Sequence, residues 1–207
     1  VFPVQSTEEL FNQYKDVDSR VDLPNAHEIR RKNLKSYLES LERPKILVVG
    51  EAAGPWGCRF SGVSFTGEKH LLEENFPFSG HQSSKPSPSL ITHKRPPYTS
   101  TSANIFWKVM KPYHQKFLVW DCVPFHPHEP GKILSIRNPT TAEALSFSGL
   151  LNEIKEIIKP ERIVAVGREA EDALNKIGVQ SRYVRHPSHG GAKDFEREMK
   201  RIFSESG

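Results

Sequence analysis

The sequence predicts an α/β domain built on a parallel sheet, and three observations support this. Short apolar runs at 45–49, 117–120, 162–166 and 181–184 are typical of buried strands. Helical patterns stand between successive runs, and strands that alternate with helices pair in parallel. Polar loops rich in glycine or proline follow three of the runs, and ligands bind at such carboxyl ends of parallel strands.

Helical patterns of differing strength accompany these strands. The first clear one begins at Asn25, a candidate N-cap, and places Ile29, Leu34, Leu38 and Leu41 on one face. The other predicted helices are a short one around Glu8–Tyr14 and stretches at 68–74, 101–111, 140–159, 167–178 and 193–203.

One long segment, 76–100, is rich in proline, serine and lysine and carries no helical or strand period. It predicts a long loop with few core residues. Loops of this length in a compact domain are usually functional or disordered.

Length and composition fit one globular domain. The chain has 207 residues, of which 36% are hydrophobic and 26% charged, enough for one sizeable core. We see no repeat and no linker, and we expect a single domain over 1–207 with an N-terminal helical extension at about 1–42. The net charge of +4 permits a polyanionic partner without requiring one.

The two cysteines, Cys58 and Cys122, are too few for a disulfide framework or for a four-cysteine iron–sulfur cluster. No apolar run reaches the ~18 residues of a membrane helix. The first residues also lack the apolar region of a signal peptide. We therefore expect a cytoplasmic protein with no membrane partner.

The first polar loop, Gly50 to Glu68, reads GEAAGPWGCRFSGVSFTGE. Its early glycines follow G-x-x-x-G-x-x-G, which is neither the dinucleotide fingerprint nor the phosphate loop. Glycine lets the backbone approach a flat or charged ligand closely, and Phe65 offers an aromatic face for stacking. Glu51 and Glu68 are candidate bases, and a solvated or helix-capping carboxylate is the structural alternative for each, more so for Glu51.

The last polar loop, RHPSHGGA at 185–192, leads into the final helix. Exposed amides and the helix dipole at such an end favour an anion, and Ser188 can bond a phosphate. His186, placed rigidly before a proline, can donate to developing negative charge. A capping loop with surface histidines is the structural alternative.

The middle loop begins at Asp121 and contains His126, His128 and Glu129. This mixture of side chains invites a metal interpretation. Turn residues held by neighbouring prolines are the favoured interpretation, because nothing else supplies a clear ligand set. Since all three loops follow parallel strands, we expect 50–68, 121–138 and 185–192 to converge on one cleft.

These three loops, in this order, resemble motifs of the uracil-DNA glycosylase superfamily. GEAAGPWGCRFSGVSFTGE resembles its first motif, WDCVPFHPHEPGKILSIRNPTTAE a middle segment of bacterial members, and RHPSHGGA its H-P-S motif. The resemblance covers about 45–205. It implies a three-layer α/β/α sandwich with a central, mainly parallel four-stranded sheet. It also implies a monomeric, monofunctional glycosylase of the bacterial or archaeal cytosol that flips a deaminated base from DNA and needs no cofactor or metal.

The resemblance also implies roles for individual residues. His186 would donate to the uracil O2, and Glu68, which matches an aspartate after F-T-G in one branch, would position the water. The residues implied to bind the base are Gly50, Glu51, Ala52, Ala53, Gly54, Phe65 and Asp121. The residues implied to bind the DNA backbone are Arg59, Arg137, Arg185, Ser188, His189, Gly190, Gly191 and Lys193.

Two positions depart from the superfamily pattern. Ala52 stands where several families carry Asp or Asn, and Asp121 stands where an Asn reads the uracil amide edge. An ionised Asp121 would accept the N3 proton of uracil but would repel its O4. Either the preference moves towards a base with an exocyclic amine, or Asp121 is protonated.

Two alternatives to the glycosylase hypothesis remain open at the level of sequence. One is a weak or inactive superfamily member that binds nucleic acid, which Ala52 and Asp121 favour. The other is an unrelated α/β hydrolase that uses Cys58 or Asp121, with or without a metal.

Overall fold

The computed structural model describes residues 2–90 and 93–205. Its strands are β1 (Leu10–Phe11), β2 (Ile46–Ala52), β3 (Phe117–Val123), β4 (His126–Pro127), β5 (Arg162–Val166) and β6 (Arg182–Val184). In this part of the chain, β3, β2, β5 and β6 form a four-stranded sheet in that order, and every pair in it is parallel. The predicted parallel sheet is confirmed.

Helices flank this sheet and complete the predicted three-layer sandwich. Their bounds are α1 (Ala26–Glu39), α2 (Cys58–Ser61), α3 (Glu68–Leu71), α4 (Thr101–Met110), α5 (Thr141–Ser146), α6 (Ser148–Ile158), α7 (Arg168–Lys176) and α8 (Ala192–Ser204), with a 3₁₀ turn at Lys111–Tyr113. α4 packs on α8 through Phe106 and Phe195, whose ring centroids lie 5.8 Å apart. None of these helices is long and apolar enough to span a membrane.

Two neighbouring strands, β2 and β3, run further than their apolar runs predict. β2 continues to Ala52 and β3 to Val123, and Gly50 pairs with Asp121 within the parallel ladder. The ladder continues because the backbone hydrogen bonds do not depend on side-chain polarity. Consequently Gly50 and Asp121 lie on rigid strands rather than in loops.

The prediction of a helix around Glu8–Tyr14 is wrong. Leu10 and Phe11 instead form β1, which pairs antiparallel with β4. Leu10, Phe11 and Tyr14 are all buried. Packing against the distant middle loop therefore overrides the local pattern, so the N-terminal extension is only partly helical.

The helix predicted from Asn25 is present as α1, but its buried face differs from the prediction. Leu38 is 42% exposed, whereas Arg30 and Asn33 are buried. Asn33 donates to the Ser61 and His81 carbonyls, each at 2.9 Å. Polar contacts to neighbouring loops, which an apolar pattern cannot reveal, set the inward face of this helix. The Asn25 side chain makes no capping hydrogen bond.

The single helix predicted at 140–159 is two helices, α5 and α6, which meet at Phe147. Phe147 is buried and packs edge-on against Phe125, with centroids 4.9 Å apart. Its anchoring in the core coincides with a break in the helix that periodicity alone does not predict.

Segment 76–100 is a long loop, as predicted, but the expectation of few core residues is wrong. Phe76, Phe78 and Tyr98 are buried. Phe76 packs edge-on against Trp107 at a centroid distance of 4.8 Å. Parts of this segment are therefore built into the core, and residues 91–92 lie outside the described part.

Candidate active site

Gly50 and Asp121 form the centre of the site at the carboxyl ends of β2 and β3. Asp121 is 3% exposed, and its Oδ2 accepts a hydrogen bond from Ser64 Oγ at 2.7 Å. A Cβ at position 50 would lie 2.6 Å from Phe65 Cε2 and closer still to Asp121 Oδ1. Glycine at position 50 therefore leaves the space that the side chains of Phe65 and Asp121 need.

Phe65 brings an aromatic ring to this centre. Its φ of +51° is unusual for a bulky residue. The ring stacks on Phe106 at 4.8 Å with an interplanar angle of 22°, and its centroid lies 5.8 Å from that of His186. The first and last polar loops thus meet at Phe65 and His186, as the convergence of the loops predicts.

His186 follows β6 and is held by its own loop. Its Nδ1 accepts a hydrogen bond from the Ser188 backbone N–H at 3.3 Å, and Ser188 Oγ lies 2.7 Å from the same atom. A backbone N–H can only donate, so Nδ1 carries no proton and Nε2 does. Nε2 has no hydrogen-bond partner within the described part of the chain.

Burial sets the protonation state of His186. Desolvation, and secondly the proximity of His189, lowers the pKa of His186 to about 4. The ring is therefore neutral near pH 7 and presents an N–H donor rather than a full positive charge.

Two carboxyl groups of the site have raised pKa values. Burial raises the pKa of Asp121 to about 7, against a smaller lowering by the Ser64 hydroxyl. Burial, followed by the charges of Glu169 and Asp121, raises the pKa of Glu51 to about 7. Such carboxyls titrate near physiological pH, where a group can act as an acid or a base, and they are typical of functional sites.

Glu68 cannot position a water, and this expectation is wrong. The side chain is fully buried and accepts hydrogen bonds from the backbone N–H groups of Ser83 at 2.7 Å, Ser84 at 2.9 Å and Tyr98 at 3.0 Å. The Ser84 hydroxyl donates to it as well. Glu68 anchors the 76–100 loop.

Arg59 is likewise not a phosphate ligand. It is fully buried, and its Nη1 and Nη2 bind the two oxygens of Asp22 at 2.6 and 3.1 Å. Its guanidinium also lies over the rings of Phe11 and Phe60, at 4.7 and 4.4 Å from their centroids. The residue joins the N-terminal segment to α2.

Arg137 is also a structural residue. Its Nη1 and Nη2 donate to Glu143 at 3.0 and 2.8 Å, and it binds the carbonyl oxygens of His128 and Glu9. The expectation that Arg137 binds DNA is wrong, because its donors already have partners inside the protein.

The other predicted backbone-binding residues lie together where the last loop enters α8. Arg185 and Lys193 are exposed, and Lys193 has no ion pair among the described residues. His189 and Gly190 are exposed in the left-handed region, at φ +52° and +79°. Gly191 is buried against His186 and Arg185, where a Cβ would meet the His186 carbonyl oxygen.

The start of the first loop is held mainly through its backbone. Ala52 is half-buried at the end of β2, whereas Ala53 is buried and its N–H donates to the Val123 carbonyl at 3.3 Å. Gly54 is exposed, and a Cβ there would meet only open space. The space in front of Gly54 leaves room for a ligand to approach this turn.

Beyond Asp121, the middle loop supports the first loop rather than joining the centre. The ring nitrogens of His126 lie 2.8 Å from the Ala53 oxygen and 2.9 Å from the Ile133 oxygen. Both nitrogens thus face backbone carbonyl oxygens, and the neutral ring donates to one of them. Within residues 2–90 and 93–205, no three His, Cys, Asp or Glu side chains are grouped to hold a metal ion.

Cys58 is a buried thiol beneath the site. Burial, and secondly the charge of Asp121, raises its pKa well above the usual value. Its sulfur accepts a hydrogen bond from Gln13 Nε2 at 3.7 Å. A protonated, enclosed thiol is a poor nucleophile, which removes the support for a Cys58-based hydrolase.

Three residues of the site are absent from the sequence-based prediction. They are Ser64, which donates to Asp121; Phe106, which supports Phe65; and Glu169, whose charge raises the pKa of Glu51. Ser64 directly precedes Phe65 in the sequence, and this neighbourhood is the only sequence signal that points to Ser64 as a site residue. Phe106 and Glu169 lie on α4 and α7 and reach the site only through the fold.

Comparisons with known proteins identify the class to which this fold and site belong. The model of the uracil-DNA glycosylase superfamily matches residues 38–204, and the chain belongs to this superfamily. The structure of wild-type SMUG2 from Pedobacter heparinus is similar, with a TM-score of 0.61 at 15% sequence identity over 93% of this chain and 94% of the other. A search of curated proteins returned no significant match. The superfamily is one of DNA glycosylases, hydrolases of DNA repair.

Proposed function

We propose that the protein is a monofunctional DNA glycosylase that hydrolyses the N-glycosidic bond of uracil, or of another deaminated base, flipped out of DNA. The observation that carries the proposal is the neutral His186, with Nδ1 held by Ser188 and Nε2–H free, beside Phe65 and the Gly50–Asp121 pair. This set offers a ring to stack on, a polar edge to read a base and a donor for the leaving group.

The pocket suits a flat heterocycle. Phe65 would stack on the flipped base, with Phe106 behind it to hold the ring in place. The absence of a side chain at Gly50 would let the base edge approach the backbone and Asp121. Stacking stabilises any base, so the specificity for one base has to come from hydrogen bonds to polar groups.

The protonation state of Asp121 would determine which base is bound. Since Ser64 donates to Oδ2, a proton on Asp121 resides on Oδ1, the oxygen beside Gly50. The protonated acid can donate to uracil O4 and accept from N3–H, whereas the ionised form matches a base with an exocyclic amine. With its pKa at about 7, Asp121 supplies both forms near neutral pH.

The bond between the sugar C1′ and the base nitrogen would break first, and its electron pair would leave with the base. His186 Nε2–H would donate to the base O2 and stabilise this anion. A neutral donor suffices, because the base departs as an anion and needs no full proton at that step. The sugar is left with oxocarbenium character.

Glu51 replaces Glu68 as our candidate for the residue that positions the attacking water. As a carboxylate it would offset the positive charge of the sugar, orient a water molecule towards C1′ and accept its proton. The water oxygen forms the new bond to C1′, and the released proton finally neutralises the base anion. A pKa of about 7 allows Glu51 to hold and release that proton.

Base release from labelled oligonucleotides tests this proposal. Single- and double-stranded substrates would each carry one uracil, hypoxanthine or xanthine, and alkali would reveal abasic sites. We expect release by the wild-type protein, loss of it in His186→Ala, and retention in His81→Ala, whose exposed ring makes no hydrogen bond within the described residues. No release from any substrate, with DNA binding intact, would overturn the proposal and favour a binding-only member of the superfamily.

A further inference from the structure

The loop between β6 and α8 contains a continuous chain of three hydrogen-bonding side chains. His189 Nδ1 lies 2.9 Å from Ser188 Oγ, and Ser188 Oγ lies 2.7 Å from His186 Nδ1. His186 is half-buried in the site, whereas His189 is exposed at the tip of the loop. An exposed imidazole is therefore linked through one hydroxyl to the proposed catalytic imidazole.

The chain has one favourable direction. The Ser188 backbone N–H already requires His186 Nδ1 to accept. At 2.7 Å, the Ser188 hydroxyl must donate to the same nitrogen, because otherwise two lone pairs would face each other. Having donated its hydrogen, the Ser188 oxygen is left to accept from His189 Nδ1–H.

We propose that His189 is a positioning residue that holds His186, through the Ser188 hydroxyl, in the tautomer with its proton on Nε2. This inference rests on the proposed function, in which His186 Nε2–H donates to the leaving base. The hydrogen bond from His189 Nδ1–H to Ser188 Oγ keeps the hydroxyl hydrogen directed at His186 Nδ1.

The surroundings of His189 tie this arrangement to DNA. Arg185 Nη2 donates to the His189 carbonyl at 3.3 Å, and Lys193 is exposed on the first turn of α8. Asp194, the acidic residue of that turn, is paired with Arg197 at 2.8 Å. Arg185 and Lys193 would hold a DNA phosphate beside His189, at the outer end of the donor chain.

Two substitutions of His189 separate the hydrogen bond from backbone strain. His189→Gly removes the ring and accepts a φ of +52° without strain. His189→Asn keeps a donor near the Nδ1 position and tolerates the same backbone, but it cannot be protonated. At saturating DNA we expect His189→Gly to lower the single-turnover rate about five- to tenfold, the worth of one hydrogen bond, and His189→Asn to restore most of it.

A double-substitution cycle tests whether the effect passes through Ser188. We expect Ser188→Ala together with His189→Gly to be no slower than Ser188→Ala alone, because residues of one chain act non-additively. Additive losses, or a weaker dissociation constant with an unchanged saturating rate, would make His189 a phosphate contact only and overturn the proposal.

A second measurement does not require activity. Nitrogen-15 spectra of the labelled histidine rings report which nitrogen carries the proton. We expect His186 to be a single Nε2–H tautomer in the wild-type protein. In Ser188→Ala and His189→Gly, where the long backbone N–H contact of 3.3 Å is the remaining fixed donor to Nδ1, we expect a detectable Nδ1–H population. An unchanged His186 spectrum in both variants would overturn the positioning role, whereas absence of base release in the wild type would overturn only the proposed function.

Discussion

Gly50 and Asp121 face each other across the ladder of β2 and β3, and the carboxyl of Asp121 occupies the space where a side chain at position 50 would stand. The pairing places a rigid strand backbone against the group that would read the base. It also explains why Gly50, the first glycine of the first polar loop, is part of β2.

Gly50→Ala should therefore impair the site more strongly than the fold. The new Cβ would displace Asp121 and Phe65 together, and we expect base release to fall by about 100-fold or more, since small misplacements have such effects. Overpacking should lower the free energy of unfolding by about 1–3 kcal/mol. Single-turnover assays and urea unfolding measure the two quantities.

Gly54→Ala is the matched control for stability, because a Cβ there meets open space. Its free energy of unfolding should stay within about 0.5 kcal/mol of wild type. Full activity in Gly50→Ala would show that the contacts around position 50 are not needed for catalysis.

Much of this arrangement could be predicted from the sequence, and the remainder could not for physical reasons. Apolar runs predict strands, so the sheet and the positions of Gly50, Phe65, Asp121 and His186 followed from local pattern and loop order. The roles of charged residues could not be predicted in the same way, because they depend on burial, and burial is a property of the whole fold. Glu68 and Arg59 have the residue types of a site, but they lie inside the protein with partners from distant segments.

The same reasoning applies to the N-terminal segment. Leu10 and Phe11 have a pattern compatible with a helix, yet they form a strand because His126 and Pro127, more than 100 residues away, provide its pairing partner. Only the long-range contact distinguishes the two outcomes, and local propensity does not contain it.

Glu68→Gln should weaken the fold rather than the chemistry. The carboxylate accepts hydrogen bonds from three backbone N–H groups and one hydroxyl, and an amide would turn a donor towards some of them. We expect a loss of about 2–4 kcal/mol in the free energy of unfolding, the cost of unmade buried hydrogen bonds to a charge. Unfolding by urea and limited proteolysis within 76–100 measure the loss.

Activity per folded molecule should stay near wild type in Glu68→Gln, because Glu68 does not contact the proposed pocket. A stable variant that no longer released the base would contradict this and would return Glu68 to the chemistry.

The positive residues at the start of α8 should control the salt dependence of DNA binding. Removing Arg185 or Lys193 removes one exposed cation near Ser188 and should reduce the slope of log affinity against log salt by about 1 each. Lys200→Ala is a matched control on the same helix, since Lys200 lies two turns further on and is paired with Glu196 at 2.6 Å. Equal slopes for all three variants would place the DNA elsewhere.

The pH dependence of uracil release should be bell-shaped with a maximum near pH 7. Glu51 must be ionised to accept a proton, so activity rises as pH increases through its pKa of about 7. Asp121 must be protonated to donate to O4, so activity falls as pH increases through its pKa, also about 7. His186, with a pKa of about 4, stays neutral over this range.

Two variants assign the limbs of this profile. Asp121→Asn carries a permanent donor and acceptor, and its uracil release should stay level above pH 7 where the wild-type rate declines. Glu51→Gln should lose the rising limb together with about 100-fold or more of the rate, the contribution of a general base. Because the two carboxyls interact, the apparent pKa values belong to the pair, and the shapes of the variant profiles rather than the wild-type midpoints carry the assignment. A falling limb that persisted in Asp121→Asn would show that another group controls the choice of base.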